Sequence, residues 1–261
     1  MIQFNHKRAK SRKGNENMAL TERQNGILSL LKEKKSERVS KLAGALYVSE
    51  ATIRRDLAEM EQMGLIERSH GGAILPASSD EISIFFRMEK NPREKEKVAT
   101  KALTKIPFFK TVFVDSSSTA LALTERMDLS HKTVVTNNLQ AALTLTKKPN
   151  VNLVLLGGSV QFNTNSTTGS WTTRQLDDFS FDLAIASCAA VMNGGAFERS
   201  IDGKELKQAA FLKSEKKILL IDHTKFSLRG TYRTTMLSDY DLVVTDEIPS
   251  GVYIPEGTNI I

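Results

Sequence analysis

The sequence lacks the features that mark secreted and membrane proteins. Cys188 is the single cysteine among 261 residues, so an internal disulfide is excluded. No apolar run approaches the roughly 18 residues that a membrane-spanning helix needs, and the N-terminus has no apolar core of the kind found in a secretory signal peptide. These absences predict a cytoplasmic protein with no membrane partner.

The sequence also lacks metal-binding patterns. The four histidines show no metal-ligand spacing with one another or with the cysteine; they are His6, His70, His131 and His223. We therefore expect neither a metal site nor a bound cofactor. Cys188 follows an apolar run, and the sequence shows no charged group that would activate its thiol, so we expect a buried, inert cysteine.

The net charge of +6 is unevenly distributed. Residues 1–17 contain five basic residues and one acidic residue, whereas residues 18–75 contain nine and eight, and residues 76–261 contain 22 and 21. Most of the excess therefore lies in residues 1–17, which we expect to be a disordered extension or a source of non-specific phosphate contacts. A prediction of nucleic-acid binding has to rest on where individual basic side chains lie.

A helix with a distinct apolar face is predicted to begin after Ser49. The hydroxyl of Ser49 suits an N-cap, where it accepts a backbone N–H of the first turn. Ile53, Leu57 and Met60 recur at i, i+4 and i+7, so they share one face. Gly64 is placed to end the helix in a left-handed conformation.

The opposite face of this helix is polar and basic. Arg54 and Arg55 each carry a planar guanidinium that can bind a guanine edge or a phosphate through two parallel N–H donors. Thr52 can contact a thymine methyl or a phosphate. This face predicts binding to double-stranded DNA through Lys41, Ser49, Glu50, Thr52, Arg54 and Arg55. For any one of these residues, a solvated helix face is the alternative.

Two helices are predicted before this one. Thr21-Glu22-Arg23-Gln24 has the pattern of a capping box and opens a helix from Glu22 to about Lys34. A second, short helix near Ser40–Leu46 is rich in small residues, which allows it to cross its neighbour closely. The two helices around Tyr47 and Val48 therefore have the order of a helix-turn-helix.

A β-hairpin is predicted after the helix-turn-helix. Leu65–Arg68 forms the first strand, Ser69–Gly72 a tight turn, and Ala73–Leu75 the returning strand. Val39 is placed for a short strand beside this hairpin. A helix-turn-helix followed by a hairpin is a winged helix, in which Arg68 and His70 meet the DNA backbone.

Two segments of this region resemble a known protein family. S-E-A-T-I-R-R-D-L at residues 49–57 and G-L-I-E-R-S-H-G-G-A at residues 64–73 are similar to the DNA-binding signature of DeoR-type bacterial repressors. The resemblance implies a winged helix-turn-helix in which the helix at residues 49–57 enters the major groove.

A domain boundary is predicted at the polar, turn-rich segment Pro76–Asp80. We therefore expect a DNA-binding domain at residues 18–76 and a second domain at residues 77–261. In the second, apolar runs alternate with helical stretches, which is typical of an α/β fold with a mostly parallel sheet covered on both faces. The runs are Val112–Val114, Val134–Val135, Leu153–Leu156, Leu183–Ala186, Ile218–Ile221 and Leu242–Val244, and the helices are Ser118–Met127, Leu139–Lys147 and Gly203–Ser214.

Polar residues and glycines follow several of these strands. Ligands of parallel sheets bind beyond the carboxyl ends of the strands, and the hydroxyl-rich segment Asp115–Thr119 opens a helix whose first N–H groups suit a phosphate. Lys225 is placed to pair with an anion. The predicted effector site comprises Asp115, Ser116, Ser117, Ser118, Thr119, Thr136, Asn137, Gly157, Gly158 and Lys225. A serine-rich helix cap without a ligand is the alternative.

The same segments extend the family resemblance over most of residues 18–247. D-S-S-S-T, V-V-T-N-N, L-L-G-G and L-L-I-D-H-T-K-F are similar to segments of DeoR-type effector domains, and a pattern at their start is matched by Arg87, Asn91, Glu94 and Lys95. The resemblance implies a fold similar to ribose-5-phosphate isomerase and the CoA transferases, and a domain that binds a phosphorylated sugar or polyol without catalysis. The sequence departs from the family pattern at two places. Ser117 stands where the family commonly has a glycine, and Gly203-Lys204 stand where it usually has a Glu-Ala pair.

Two classes of function are open at this point. The first is a sequence-specific regulator, in the family most often a repressor of a sugar uptake or catabolism operon that a phosphorylated sugar relieves. It requires a homodimer or homotetramer, because one recognition helix covers few base pairs. The second is an isomerase-like or CoA-transferase-like enzyme with an accessory DNA-binding module, using Asp115 or Asp182 as a base near Lys225. Trp171 either stacks on a sugar or packs in the core or an interface.

Overall fold

The computed structural model describes residues 21–62, 65–75 and 84–261. Four predictions lie outside these residues: the extension at 1–17, the domain start at residue 18, the helix end at Gly64, and the boundary at Pro76–Asp80. The described residues form two units, one on each side of that predicted boundary.

The first unit, residues 21–62 and 65–75, contains three helices and a three-stranded antiparallel sheet. In chain order these are α1 (Glu22–Lys34), β1 (Ser36–Arg38), α2 (Val39–Ala45), α3 (Glu50–Gln62), β2 (Glu67–Ser69) and β3 (Gly72–Ile74). β3 lies between β1 and β2. The predicted winged helix-turn-helix is therefore confirmed, with one correction. Val39 begins α2, and the strand beside the wing is formed by the three preceding residues.

The core of this unit follows the predicted helical periodicity. Ile53, Leu57 and Met60 of α3 are fully buried and pack with Ile27 and Leu31 of α1. The predicted capping box at the start of α1 is present, with the Thr21 side chain and the N3 glutamine side chain each accepting a backbone N–H. Helix α3 therefore packs on helix α1 through a row of apolar contacts.

An ion pair between half-buried Arg23 and buried Asp56 fixes the orientation of this packing. Asp56 on α3 is 3% exposed, and its carboxylate accepts two hydrogen bonds from the guanidinium of Arg23 on α1, at 2.5 and 2.9 Å. Gln24 donates a further hydrogen bond to Glu59 at 3.0 Å. Paired, planar hydrogen bonds of this kind fix orientation as well as distance. They hold α3 in one rotation about its axis and so determine which face it presents to solvent.

The second unit, residues 84–261, alternates strands and helices. Its elements are α4 (Ile84–Glu89), α5 (Pro92–Leu103), β4 (Thr111–Val114), α6 (Ser118–Arg126), β5 (Thr133–Thr136), α7 (Leu139–Leu145), β6 (Asn152–Leu155), β7 (Ser159–Gln161), β8 (Ser166–Thr168), α8 (Ser170–Arg174), β9 (Phe181–Ala186), β10 (Ala190–Met192), β11 (Gly195–Glu198), α9 (Ile201–Leu212), β12 (Ser214–Ile221), β13 (Tyr232–Met236) and β14 (Leu242–Thr245). No helix of the described residues is long and apolar enough to span a lipid bilayer.

The six predicted apolar runs form one parallel sheet within this stretch. Its strand order is β14-β12-β9-β4-β5-β6. Neighbouring residues of a strand serve opposite layers, because side chains alternate across a sheet. Val112 and Val114 of β4 join the cluster under α5 and α6, whereas Phe113 joins the cluster under α9. The α/β fold with both faces covered is confirmed.

The strand order determines where a ligand can bind. From β4 the chain proceeds outward to β5 and β6, and it then returns to place β9 on the other side of β4. The loops after β4 and β9 therefore leave in opposite directions and open a crevice at the carboxyl edge of the sheet.

Smaller antiparallel elements were not predicted. A three-stranded sheet of β10, β11 and β13 and a hairpin of β7 and β8 lie beyond the main sheet. Their strands are three to five residues long, which is too short for alternation to stand out in the sequence.

Candidate DNA-binding surface and ligand cavity

The recognition helix α3 begins as predicted. The Ser49 hydroxyl accepts the backbone N–H of Thr52 at 3.2 Å, and its oxygen lies 2.8 Å from the Thr52 hydroxyl. The Ser49 and Thr52 side chains are therefore hydrogen-bonded to each other. They lie at the N-terminal end of α3, which in a winged helix points toward a DNA groove. Glu50, Arg54 and Arg55 are exposed beside them.

The two neighbouring arginines differ in their contacts. Arg54 Nη2 lies 2.7 Å from the carboxylate of Glu50, one helical turn earlier. Arg55 makes no hydrogen bond or ion pair with any residue that the structure describes. One guanidinium is thus held against the helix, whereas the other is free to reach a partner.

The wing presents its charged residues to solvent. Arg68 on β2 and His70 in the turn are exposed, as is Lys41 on α2. Gly71 adopts φ 82°, and a Cβ at Gly72 would lie 2.4 Å from the carbonyl oxygen of Glu37 on β1. The Gly-Gly pair is therefore required by the tight turn and by the close approach of β1 and β3.

A cavity opens at the crevice beyond β4 and β9. Seven of the ten predicted effector residues line it: Asp115, Ser116, Ser117, Ser118, Thr119, Asn137 and Lys225. Several other residues that line the cavity were not predicted for this site, among them Arg87, Asn91, Lys95, Glu198 and Lys207. Arg87, Asn91 and Lys95 belong to the pattern at the start of the second domain, and that pattern was the available signal for them.

Three predicted residues, Thr136, Gly157 and Gly158, do not line this cavity. The Thr136 hydroxyl donates to the carbonyl of Val114 at 2.7 Å and accepts from the backbone of Asn138, so it joins two strands. The backbone of Gly157 is bound by the Gln175 side chain. A Cβ at Gly158 would lie 1.9 Å from the Thr172 hydroxyl, so this glycine is required for packing of α8 rather than for approach to a ligand.

The Asp115 carboxylate has every position occupied. One oxygen accepts the backbone N–H and the hydroxyl of Ser117, at 3.0 and 2.5 Å. The other accepts the backbone N–H of Ser187 at 3.0 Å and lies 3.0 Å from Lys207 Nζ. Asp115 therefore fixes the loop after β4 to the loop after β9, on either side of the crevice.

Lys207 of α9, which contacts Asp115, makes further contacts of its own. Its ammonium also contacts the carboxylate of Glu198 and donates to the carbonyl of Ser187. Burial alone would lower the pKa of Lys207, but the two carboxylates outweigh burial and raise it. The ammonium is therefore charged at any physiological pH and serves as an internal counterion.

Basic side chains from three other segments also line the cavity. Burial lowers the pKa of Lys225, and this ammonium forms no hydrogen bond or ion pair within the described part of the chain. Burial also lowers the pKa of Lys95, to about 8, against the raising effect of Asp222. Arg87 Nη2 lies 3.4 Å from the carbonyl of Ser116. Three basic side chains thus line the cavity; Arg87 contacts the loop after β4, and the Lys95 ammonium donates to the carbonyl of Lys90.

The N-terminus of α6 faces the same space. Ser117 caps the helix by accepting the N–H of Ala120 at 3.1 Å. The N–H groups and hydroxyls of Ser118 and Thr119 line the cavity and have no hydrogen-bond partner among the residues described. Free N–H groups at a helix start, together with nearby cations, are the usual elements of an anion site.

Asn137 contributes a different kind of group. It is 2% exposed, and its Nδ2 donates to the carbonyl of Thr167 at 3.0 Å. Its Oδ1 is buried and has no partner in the described residues. A carbonyl opposite Nδ2 excludes the flipped amide, because two acceptor oxygens would then face each other. Asn137 therefore lines the cavity as a residue, while its unpaired oxygen is buried from solvent.

Three further residues were considered from the sequence, and of these only Cys188 lines the cavity. Burial raises the pKa of Cys188 to about 12, so the thiol is protonated, in line with the prediction of an inert cysteine. Asp182 lies at the start of β9, bound to the backbone of Lys110 and Thr111, at the opposite edge of the sheet from the cavity. Trp171 is 72% exposed and does not line the cavity, so core packing is excluded for it. No cluster of three potential metal ligands occurs within the residues that the structure describes.

Comparison with known families agrees with both units. Residues 23–79 match the DeoR-like helix-turn-helix domain, and residues 90–247, more than half of the chain, match the DeoR C-terminal sensor domain. The chain belongs to the DeoR family. It is a DNA-binding transcriptional regulator.

Relatives of this DeoR-family regulator align over most of its length. The HTH-type transcriptional regulator GolR of Listeria innocua is 35% identical over 86% of this chain and 90% of its own. The glycerol-3-phosphate regulon repressor of Escherichia coli is 33% identical over 89% and 93%. Among solved structures, ribose 5-phosphate isomerase A of Methanocaldococcus jannaschii is similar to the regulator at a TM-score of 0.38, with 14% identity over 52% and 55% of the two chains.

Proposed function

We propose that this regulator represses genes for uptake or catabolism of a sugar or polyol, and that the phosphomonoester of that compound relieves repression by binding the cavity of the α/β unit. The observation that carries the proposal is the Lys225 ammonium, which lines the cavity without an ion-pair partner in the described residues. An anionic ligand at the α6 N-terminus would supply that partner.

The chemistry of the cavity supports a phosphomonoester over a simple anion. Lys225, Lys95 and Arg87 favour negative charge at one end, and the free hydroxyls of Ser118 and Thr119 donate to phosphate oxygens. Asn137 also lines the cavity, and a side-chain amide can form a hydrogen bond with a sugar or polyol hydroxyl. The repressor from Escherichia coli is named for a regulon of a small polyol phosphate, which agrees with this combination.

For the DNA-binding unit we propose direct contacts from the recognition helix and backbone contacts from the wing. Arg54, Arg55, Thr52 and Glu50 would face base edges, as recognition-helix residues do in this fold. Phosphate contacts would come from Lys41, Ser49, Arg68 and His70. We also infer a homodimer or homotetramer acting in the cytoplasm, since an operator of two half-sites requires two recognition helices.

We propose that the cavity binds its ligand without catalysis. A sugar-phosphate isomerase needs a carboxylate that is free to accept a proton. Asp115 makes four hydrogen-bonding and ionic contacts, and Asp182 lies at the other edge of the sheet. The enzyme alternative therefore has no candidate base among the two residues considered for it.

A thermal-shift screen tests the ligand proposal. Purified protein is heated with glycerol 3-phosphate, hexose 1- and 6-phosphates, their unphosphorylated parents, and inorganic phosphate. A ligand at 100 times its dissociation constant adds about 2.7 kcal/mol of stability, so one phosphorylated compound should raise the melting temperature while its parent does not. The same compound should release bound DNA.

Two lysine variants make the screen specific. Lys225→Met should abolish the ligand-induced shift, whereas Lys97→Met, an exposed lysine of α5 that does not line the cavity, should keep it. If Lys225→Met responds as strongly as the wild type, or if no phosphorylated compound stabilises the protein, the cavity is not the effector site.

A further inference from the structure

Tyr47 occupies an unfavourable backbone conformation in the turn between α2 and α3. Its φ is 55°, in the left-handed region. The N–H of Leu46 donates to Leu42, and the N–H of Val48 donates to the carbonyl of Ala43 at 3.1 Å. The bond from Val48 to Ala43 is the 6→1 bond of a Schellman helix end, in which the left-handed residue is normally glycine or asparagine. A bulky side chain at this position carries a conformational cost.

Contacts within the protein do not offset that cost. The Tyr47 side chain is 95% exposed, so the ring gains almost no burial. Its hydroxyl has no hydrogen-bond partner among the described residues. Residues kept in strained conformations are concentrated at functional sites, and an exposed aromatic ring with a free hydroxyl suits a binding surface.

The position of Tyr47 indicates the partner. Two residues separate it from Glu50, so the chain between them spans at most about 10 Å, and Ser49, Glu50 and Ala51 around the start of α3 are all exposed. In helix-turn-helix proteins the first helix crosses the DNA backbone and the start of the second enters the major groove. The turn that joins them therefore lies beside the phosphates.

We propose that Tyr47 is a DNA-contact residue whose hydroxyl donates a hydrogen bond to a backbone phosphate next to the recognition helix. Tyrosine is one of the side chains that supply such contacts. The left-handed turn directs the ring away from the protein. The strained conformation therefore serves to hold the ring in this outward position. Because tyrosine is neutral, the contact adds affinity without releasing a counterion from DNA.

The test compares Tyr47→Phe, which removes only the hydroxyl, with Tyr47→Asn, which also removes the strain. Tyr253→Phe is the matched control, since Tyr253 is 64% exposed in the other unit. Fluorescence anisotropy measures binding to two duplexes, one of random sequence and one that the wild-type protein enriches from a random pool. Differential scanning calorimetry measures stability of the same four proteins.

We expect both Tyr47 variants to bind each duplex about tenfold more weakly, the size of effect that follows from one hydrogen bond to a charged group. The dependence of affinity on salt should be unchanged, and Tyr253→Phe should bind as the wild type does. Tyr47→Asn should melt at the same or a higher temperature than the wild type, because asparagine tolerates the left-handed region.

Two results would overturn the proposal. The first is wild-type DNA affinity in Tyr47→Phe, which would mean that the hydroxyl makes no contact. The second is a lower melting temperature in Tyr47→Asn, since the ring would then stabilise the fold and a loss of DNA binding would be indirect.

Discussion

Arg54 Nη2 lies 2.7 Å from Glu50 Oε2 on the exposed face of the recognition helix. The pair neutralises one of the two guanidinium groups on the surface that we assign to DNA. On the proposed DNA-binding surface the Glu50 carboxylate would repel the negatively charged duplex, which would oppose binding to DNA that offers Arg54 no base contact. We therefore propose that Glu50 acts on discrimination between sequences as well as on affinity.

Glu50→Gln should strengthen binding to duplex DNA of random sequence. The substitution frees Arg54 to contact a phosphate and removes a negative charge from the surface. The slope of log affinity against log salt should become steeper by about one phosphate contact, roughly 0.9. Fluorescence anisotropy over a range of salt concentrations measures the slope. A slope equal to that of the wild type would mean that Glu50 does not restrain Arg54.

Arg55→Ala should weaken binding to the selected duplex by about 1–3 kcal/mol if the free guanidinium contacts a base. Affinity for random sequence should then fall much less. Arg38→Ala, which removes an exposed guanidinium from β1 rather than α3, is the control. An equal loss on both duplexes would assign Arg55 to a phosphate instead of a base edge.

Regular elements with strong periodicity could be predicted from the sequence, and elements fixed by tertiary contacts could not. The row of Ile53, Leu57 and Met60 gave α3, and each buried apolar run became a strand of the parallel sheet. Val39 was predicted to lie in a short strand beside the hairpin. It instead starts α2, where its side chain joins the core of the winged unit.

The ligand cavity was predicted only in part, because some of its residues are brought together by tertiary contacts. Residues directly after β4, β5 and β12 were found, because strand ends can be located in the sequence and meet at one edge. Lys207 and Glu198 were missed, since they reach the cavity from α9 and β11 and only the fold brings them to Asp115. The Gly157-Gly158 pair was assigned to ligand approach, whereas the contact that requires Gly158 is with Thr172, fourteen residues further along the chain.

Lys207→Met should destabilise the sensor unit by about 3–5 kcal/mol. The methionine keeps the volume of the stem but removes the ammonium that contacts the buried carboxylate of Asp115 and the half-buried carboxylate of Glu198. Urea unfolding followed by circular dichroism measures the loss. Lys204→Met, on the same helix but outside this network, should change stability by no more than about 0.5 kcal/mol. Similar values for the two variants would show that the network is not a stabilising one.

The contact between His223 and Asp246 should make stability depend on pH near neutrality. His223 Nδ1 lies 2.8 Å from Asp246 Oδ2, and this hydrogen bond raises the pKa of His223. A raised pKa means that the folded state holds the proton more tightly than the unfolded state. The stabilisation is therefore complete below the unfolded pKa, about 6.5, and is lost as pH rises through the folded pKa.

His223→Gln isolates this effect. The difference in melting temperature between wild type and variant should be larger at about pH 5.5 than at about pH 8.5, with a modest magnitude because the ring is 39% exposed. The turn that contains His223 also carries Lys225. The difference in ligand affinity between wild type and His223→Gln should therefore also be larger at the lower pH. A melting-temperature difference that is constant with pH, or that grows toward alkaline pH, would contradict the assignment of the charged pair.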